Sequence, residues 1–175
     1  PMNSLRGVRV LDLTRMLAGP YGTMLLADLG AEVLKIERPV VGDDIRAVGP
    51  HFLHGESVYF LSVNRGKRSV ALDLARPEGR ALLRRLAARC DVVVENFRAG
   101  VAERLGCDAA TLMADNPRLI VCGITAFGRT GPDRDLPAFD LTLQARGGMM
   151  GLTGEPDGEP VRCGVPMGDL AGGLF

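Results

Sequence analysis

Residues Val8-Arg9-Val10-Leu11-Asp12-Leu13 alternate between apolar and polar and then run apolar, the pattern of a strand buried in a sheet. Ala18-Gly19-Pro20 reads as a turn, with Pro20 suited to the first position of a helix. Met24, Leu25 and Leu29 give that helix its core stripe, and Gly30 ends it. Glu32-Val33-Leu34-Lys35-Ile36-Glu37 is a second strand. Strand, helix and strand in such short compass form the βαβ unit of a parallel sheet, joined by a right-handed crossover.

Pro39 to Glu56 reads as a loop rich in Gly, Pro and His, and Val58–Val63 and Ser69–Leu74 flank a polar turn, Asn64-Arg65-Gly66-Lys67-Arg68. A helix opens near Pro77, with Leu82, Leu83, Leu86 and Ala87 on one face and Arg80, Arg84 and Arg85 off it. Asp91–Glu95 and Leu119–Ile124 are further strands, linked by short helices at Val101–Leu105 and Ala109–Met113. The alternation predicts an α/β fold with a Rossmann-like, mainly parallel sheet flanked by helices. Beyond Ala126 a loop at Gly128–Asp133, a helix at Leu141–Met150 and a Gly/Pro-rich loop at Gly151–Gly168 lead to a helical start at Asp169. Ending on Leu174-Phe175, a bare apolar half-turn, the chain reads as the N-terminal portion of a longer protein; Pro1 before Met2 reads as a scar or a fragment edge at the other end.

Composition narrows the function. The 175 residues are 46% hydrophobic and 24% charged, a globular balance with enough chain for a core. Lys plus Arg and Asp plus Glu each number 21, so the net charge of +0 argues against a nucleic-acid or anionic-membrane binder. Absence of Trp and 5% aromatics argue against stacking platforms for bases. No apolar run is long enough to span a bilayer. Cys90, Cys107, Cys122 and Cys163 form no C-x-x-C pair, and His51 and His54 have no acidic or Cys partner spaced as a metal site requires. The expected compartment is the reducing cytoplasm.

The first βα turn lacks G-x-G-x-x-G, which disfavours a nicotinamide dehydrogenase, and the P-loop and G-x-S-x-G elbow are missing too. Arg38 follows the second strand and Asn96-Phe97-Arg98 the third, where open α/β sheets gather ligands; Arg104 stands a turn or two beyond. With Arg65, Lys67 and Arg68, these residues read either as a site for a phosphate-bearing ligand or as solvated loop cations. Asp169 stands at the start of a helix, where free N–H groups and the helix dipole favour its charged form. It reads either as a helix N-cap or as a carboxylate that attacks an activated acyl carbonyl.

Longer strings decide between these readings. Leu5-Arg6-Gly7-Val8-Arg9-Val10-Leu11-Asp12-Leu13, Ala18-Gly19-Pro20, the run from Leu29 through Pro39 and Gly42-Asp43 resemble the class III CoA-transferases of the CaiB/BaiF type. So do Asn64-Arg65-Gly66-Lys67-Arg68-Ser69, Leu72-Asp73-Leu74, Glu95-Asn96-Phe97-Arg98 and Pro137-Ala138-Phe139-Asp140. The resemblance runs from Leu5 to the end of the chain. It implies that residues 1–175 are the N-terminal part of a large Rossmann-like domain, closed in the whole protein by a smaller domain and interlocked with a second subunit like chain links.

The implied ligand is coenzyme A, as acyl-CoA substrate and not as a permanently bound cofactor, with a small carboxylic acid as co-substrate. Arg38 and Arg104 match positions contacting its nucleotide end, Asn96 and Phe97 positions lining its path, and Leu72 a position beside the adenine; Arg15 occupies a variable position that also approaches it. Gly168-Asp169 falls where the family keeps its catalytic aspartate. The implied chemistry transfers CoA through an aspartyl anhydride and an aspartyl thioester, needs no metal or redox cofactor, and is covered by a Gly-rich loop in the other half. The 2-methylacyl-CoA racemases of the same family carry a His immediately before the position of Asp140. Phe139 stands there in this chain and carries no proton, which counts against racemization. Asp140 is then expected to cap the helix that follows it, and Phe139 either borders the acyl pocket or packs in the core. The third alternative, an inactive CoA-binding fragment, concerns these 175 residues taken alone.

Overall fold

A computed structural model describes residues 3–175; Pro1 and Met2, including the fragment edge read there, lie outside the described residues. In chain order the elements are β1 (Arg9–Asp12), α1 (Ala18–Asp28), β2 (Glu32–Glu37), β3 (Phe52–Leu53), β4 (Glu56–Ser57), α2 (Val58–Asn64), β5 (Lys67–Ala71) and α3 (Pro77–Ala87). They continue as β6 (Val92–Glu95), α4 (Val101–Leu105), α5 (Ala109–Asp115), β7 (Ile120–Gly123), α6 (Asp140–Arg146) and α7 (Met167–Leu174). The 5-stranded sheet runs β5-β2-β1-β6-β7, every pairing parallel, so the expected α/β architecture is the one observed.

Two-residue alternation sorts the strands onto the two faces of the sheet. Leu11, Leu13, Ile36 and Val93 face one side and pack with Leu83 and Ala87 of α3, Ala102 of α4 and Leu112 of α5. Val10, Val33 and Val94 face the other, beneath Leu26 and Ala27 of α1. A third cluster, Leu17, Ile45, Phe60 and Val63, fills the space between α1, α2 and the 3-10 turn Asp44–Ala47.

Several expectations are corrected. Ala18-Gly19-Pro20 is the first turn of α1, which opens with Tyr21 N donating to Leu17 O at 2.8 Å. Proline is tolerated there because first-turn N–H groups have no partner within the helix. Lys67 and Arg68 belong to β5 and not to the turn, since β5 pairs along β2 from Lys67 opposite Val33 to Ala71 opposite Glu37. Arg65 pairs with Asp28, and the loop Pro39–Glu56 contains the β3–β4 hairpin. On α3, Gly79, Leu83 and Ala87 are buried at four-residue spacing, while Leu82 turns outward. The helix expected at Leu141–Met150 stops at Arg146, because Gly148 takes a left-handed φ of 79° and a separate 3-10 turn follows.

Candidate active site

The sheet face under α1 becomes ionic at the C-terminal ends of its strands. Asp12 and Lys35 sit opposite each other in register and are 0% and 1% exposed. Asp12 Oδ1 accepts from Thr14 N at 2.9 Å and Thr14 Oγ1 at 2.5 Å; its Oδ2 accepts from Thr23 Oγ1 at 2.7 Å and Lys67 Nζ at 3.0 Å. Lys67 also donates to Pro20 O and Asn64 Oδ1, and burial pulls its pKa down to about 8 against the pull of Asp12. Lys35 Nζ donates to Thr14 O at 2.7 Å. It lies 2.9 Å from Asp43 Oδ2 off the hydrogen-bonding direction, so that contact is ionic. Asp43 Oδ1 accepts from Met16 N and Ile45 N. Buried charges persist only when paired and bonded in this way. The result is a β1–α1 turn pinned from beneath, at the central strand of the sheet.

Above that floor lies a cleft of about 220 Å³ whose walls include Arg15, Arg38, Leu72, Leu74, Phe97 and Leu105. Asn96 does not line it but holds Arg15, which does: its Oδ1 accepts from Arg15 N at 2.9 Å and its Nδ2 donates to Arg15 O at 2.7 Å, a two-point clamp between the ends of β1 and β6. The order of crossovers reverses between these two strands, which is where such sheets bind ligands. The Arg15 guanidinium stands 5.9 Å from the centre of the Phe97 ring, and both it and Arg38 donate to the exposed Asp44 carboxylate. Arg104 is exposed on α4; Val101 and Leu105 of that helix line the cleft, and Arg104 itself does not. A second cavity of about 250 Å³ opens on the other side of Phe97, with Arg98, Arg129 and Glu95 in its wall. There Arg129 holds Glu95, whose pKa burial pushes upward.

Asp169 stands in the first turn of α7, apart from the walls of both cavities. That helix packs on α1 and α6. Its approach to α1 depends on small residues: a Cβ on Gly22 would come within 2.6 Å of Gly173 O, and one on Gly173 within 2.2 Å of Ala18 O. Asp140 Oδ1 accepts from Gly168 N at 2.8 Å and from Asp169 N at 3.3 Å. Asp140 therefore caps α7 and not its own helix, since α6 begins at Asp140 with Phe139 as a cap that makes no side-chain bond. Phe139 is exposed, not part of the core. Asp169 is half-buried, and among the described residues no donor reaches its carboxylate. Burial, and then the charge of Asp140, raise its pKa. Tyr59 on α2 feels the same carboxylates: burial first, then Asp169, Asp43 and Asp140, push its phenol up to about 12.

Sequence reasoning missed Lys35, Asp43, Gln144 and Tyr59. The ionic strand ends carried one readable signal, since Asp12 and Lys35 occupy positions that alternation assigns to a buried face. Gln144 carried none.

The sequence matches the model of CoA-transferase family III over residues 5–175. It is 51% identical over 174 residues to succinyl-CoA:glutarate CoA-transferase of Mus musculus, covering 99% of this chain and 40% of that protein. It is 46% identical over 176 residues to acetyl-CoA:oxalate CoA-transferase of Acetobacter aceti, covering 100% of this chain and 45% of the other. A crystal structure of a CaiB/BaiF family protein from Brucella suis superposes with a TM-score of 0.94 at 47% identity, over 99% of this chain and 47% of that one. The chain thus spans less than half the length of the relatives it matches. With its strand order, its cleft at the sheet's reversal point and the family match over nearly every residue, this chain belongs to CoA-transferase family III.

Proposed function

We propose that the protein carrying this chain transfers coenzyme A from an acyl-CoA donor to a small carboxylic acid, with Asp169 as the nucleophile. The observation that carries the reading is a half-buried carboxylate in the first turn of α7, unengaged by any donor among the described residues and raised in pKa. Carboxylates of higher pKa are stronger nucleophiles once ionised, and the helix N-terminus favours that ionised form.

In the first step an Asp169 oxygen attacks the thioester carbonyl, the C–S bond breaks, and an aspartyl–acyl anhydride forms with CoA thiolate released. The thiolate then attacks the aspartyl carbonyl, leaving Asp169 as a CoA thioester and freeing the first acid as its carboxylate. The acceptor carboxylate runs both steps in reverse and departs as the new acyl-CoA. Charge and atoms balance throughout without a redox partner. Arg15, Arg38, Leu72, Asn96, Phe97 and, from the exposed side of α4, Arg104 are assigned to the CoA; anchoring the long tail of this substrate supplies positioning worth roughly 7–11 kcal/mol of barrier.

The relatives are named for glutarate and oxalate, so the acceptor class proposed is a dicarboxylate. A homodimer of interlocked subunits, implied by the resemblance to the family, and a cytoplasmic setting complete the reading; the four free cysteines support the setting alone. Racemization is not favoured, because Phe139 supplies no base. The experiment is CoA exchange between succinyl-CoA and a panel of mono- and dicarboxylic acids, with the complete protein and its Asp169→Ala variant. Exchange that needs Asp169 supports the proposal; exchange undiminished in the variant removes the mechanism.

A further inference from the structure

Beyond Leu119 one described residue is buried, and it is polar: Gln144, 2% exposed. A buried amide is stable when its bonds are made. Gln144 Nε2 donates to Asp140 Oδ2 at 2.7 Å and, at 3.4 Å, to Val165 O; its Oε1 accepts from Cys163 N at 2.8 Å. One side chain thereby joins α6 to the loop that leads into α7. The other oxygen of Asp140 then receives the Gly168 and Asp169 amides. The fit is close, since a Cβ on Gly168 would lie 3.1 Å from Asp140 Oδ1.

We propose that Gln144 and Asp140 are positioning residues for Asp169, Gln144 orienting the Asp140 carboxylate and Asp140 fixing the first turn of α7. The inference rests on the role given to Asp169 above and adds how that carboxylate is held. The groups facing it are Asp140 from α6 and Tyr59 from α2, while α1 brings Tyr21 against Gly173 farther along α7. Asp140 thus does two things: its oxygen anchors the helix start, and its charge makes Asp169 harder to ionise.

The test uses the complete protein, steady-state CoA exchange across pH, and NMR titration of labelled aspartate carboxyls. Asp140→Asn keeps the size and one acceptor oxygen but removes the charge. Its expected result is an Asp169 midpoint and an acid limb of kcat both moved to lower pH, with plateau kcat lowered as well, because the new Nδ2 faces the Gln144 Nε2 donor. Gln144→Ala releases Asp140, and kcat is expected to fall about 10²-fold with the KM for acyl-CoA unchanged. The Gly168 amide is then expected to exchange faster with solvent. Gln144→Met, which fills the same space without polar atoms, repeats the measurement should the alanine variant not fold. Unchanged kcat in a folded Gln144 variant, or an Asp169 midpoint that does not move in Asp140→Asn, overturns the proposal. The midpoint is read without turnover, so it judges the positioning even where Asp169→Ala retains exchange and the catalytic role fails.

Discussion

The sheet and the segment that follows β7 both withdraw a carboxylate from solvent, fully in the first and by half in the second, and they hold it by different means. In the sheet, Asp12 and Asp43 are fixed by lysines, hydroxyls and backbone amides inside a hydrophobic frame, and the turn they support is anchored on several sides. In the later segment the frame is nearly absent: Gln144 alone is buried, and α7 is seated by a glycine contact with α1 and by the Asp140 cap. Few buried apolar contacts mean low local stability. A rigid floor beneath the cleft thus contrasts with a carboxylate, the proposed nucleophile, whose helix is held by a small number of directional bonds.

Removing the proposed nucleophile has the largest expected effect on this contrast. Asp169→Ala is expected to lower CoA exchange by roughly 10⁴- to 10⁶-fold, the range seen when a nucleophile or its partner is deleted. Its melting temperature should stay close to that of the parent. A fall in melting temperature as large as that of a core variant would erase the distinction between the two regions.

Next comes the sheet floor. Lys35→Met strands the Asp43 charge in a buried site, and chemical denaturation is expected to report a loss of about 3–5 kcal/mol. A smaller cost would mean that the floor is not the rigid part.

Glu37 tests the same floor by pH. Burial would raise its pKa, but hydrogen bonds from Arg46, Ser69 and the Asp43 amide outweigh this and hold it at about 2, against 4.5 ordinarily. A folded-state value below the unfolded one stabilises the fold fully above pH 4.5, and the gain is lost as pH falls through about 2. The expected loss is roughly 3 kcal/mol across that window, and Glu37→Gln should flatten this limb of the stability curve.

Gly173→Ala pushes a methyl into Ala18 O and is expected to cost about 1–3 kcal/mol while lowering kcat more than it raises the KM for acyl-CoA. Unaltered kinetics would show that the seating of α7 does not govern the site. The smallest effect expected is that of Asn96→Ala, which removes both bonds to Arg15: about 1–2 kcal/mol in thermal unfolding, with a raised KM for acyl-CoA and kcat preserved.

Much of the fold was legible in the chain. The β1–α1–β2 unit, the strands at Val92–Glu95 and Ile120–Gly123 and the short helices between them follow from periodicity and glycine placement, and the helix expected to start at Asp169 begins slightly earlier, at Met167. Val58–Asn64 was not legible as a helix, because an apolar run that short satisfies either period. At the site, the strings around Arg38, Leu72 and Phe97 marked side chains that line one cleft, while Asn96 is bonded to Arg15 of its wall without lining it. Arg104 lies on the solvent side of its helix, and no pattern in the chain distinguishes that side from the lined one.

By itself the sequence determined most of the succession of strands and helices, though not β3, β4 and α2, and the family of the chain, since both are written in local periodicity and in ordered strings of residues. Tertiary structure alone decided that Asp140 caps α7 through the amide of Gly168, 28 residues downstream, that Gln144 is the buried residue of its region, and that Lys35 and Asp12 are paired in the interior. The reason is physical: periodicity reports which face of an element is apolar, whereas a hydrogen bond or ion pair depends on which remote atom arrives within about 3 Å, and only the folded chain fixes that.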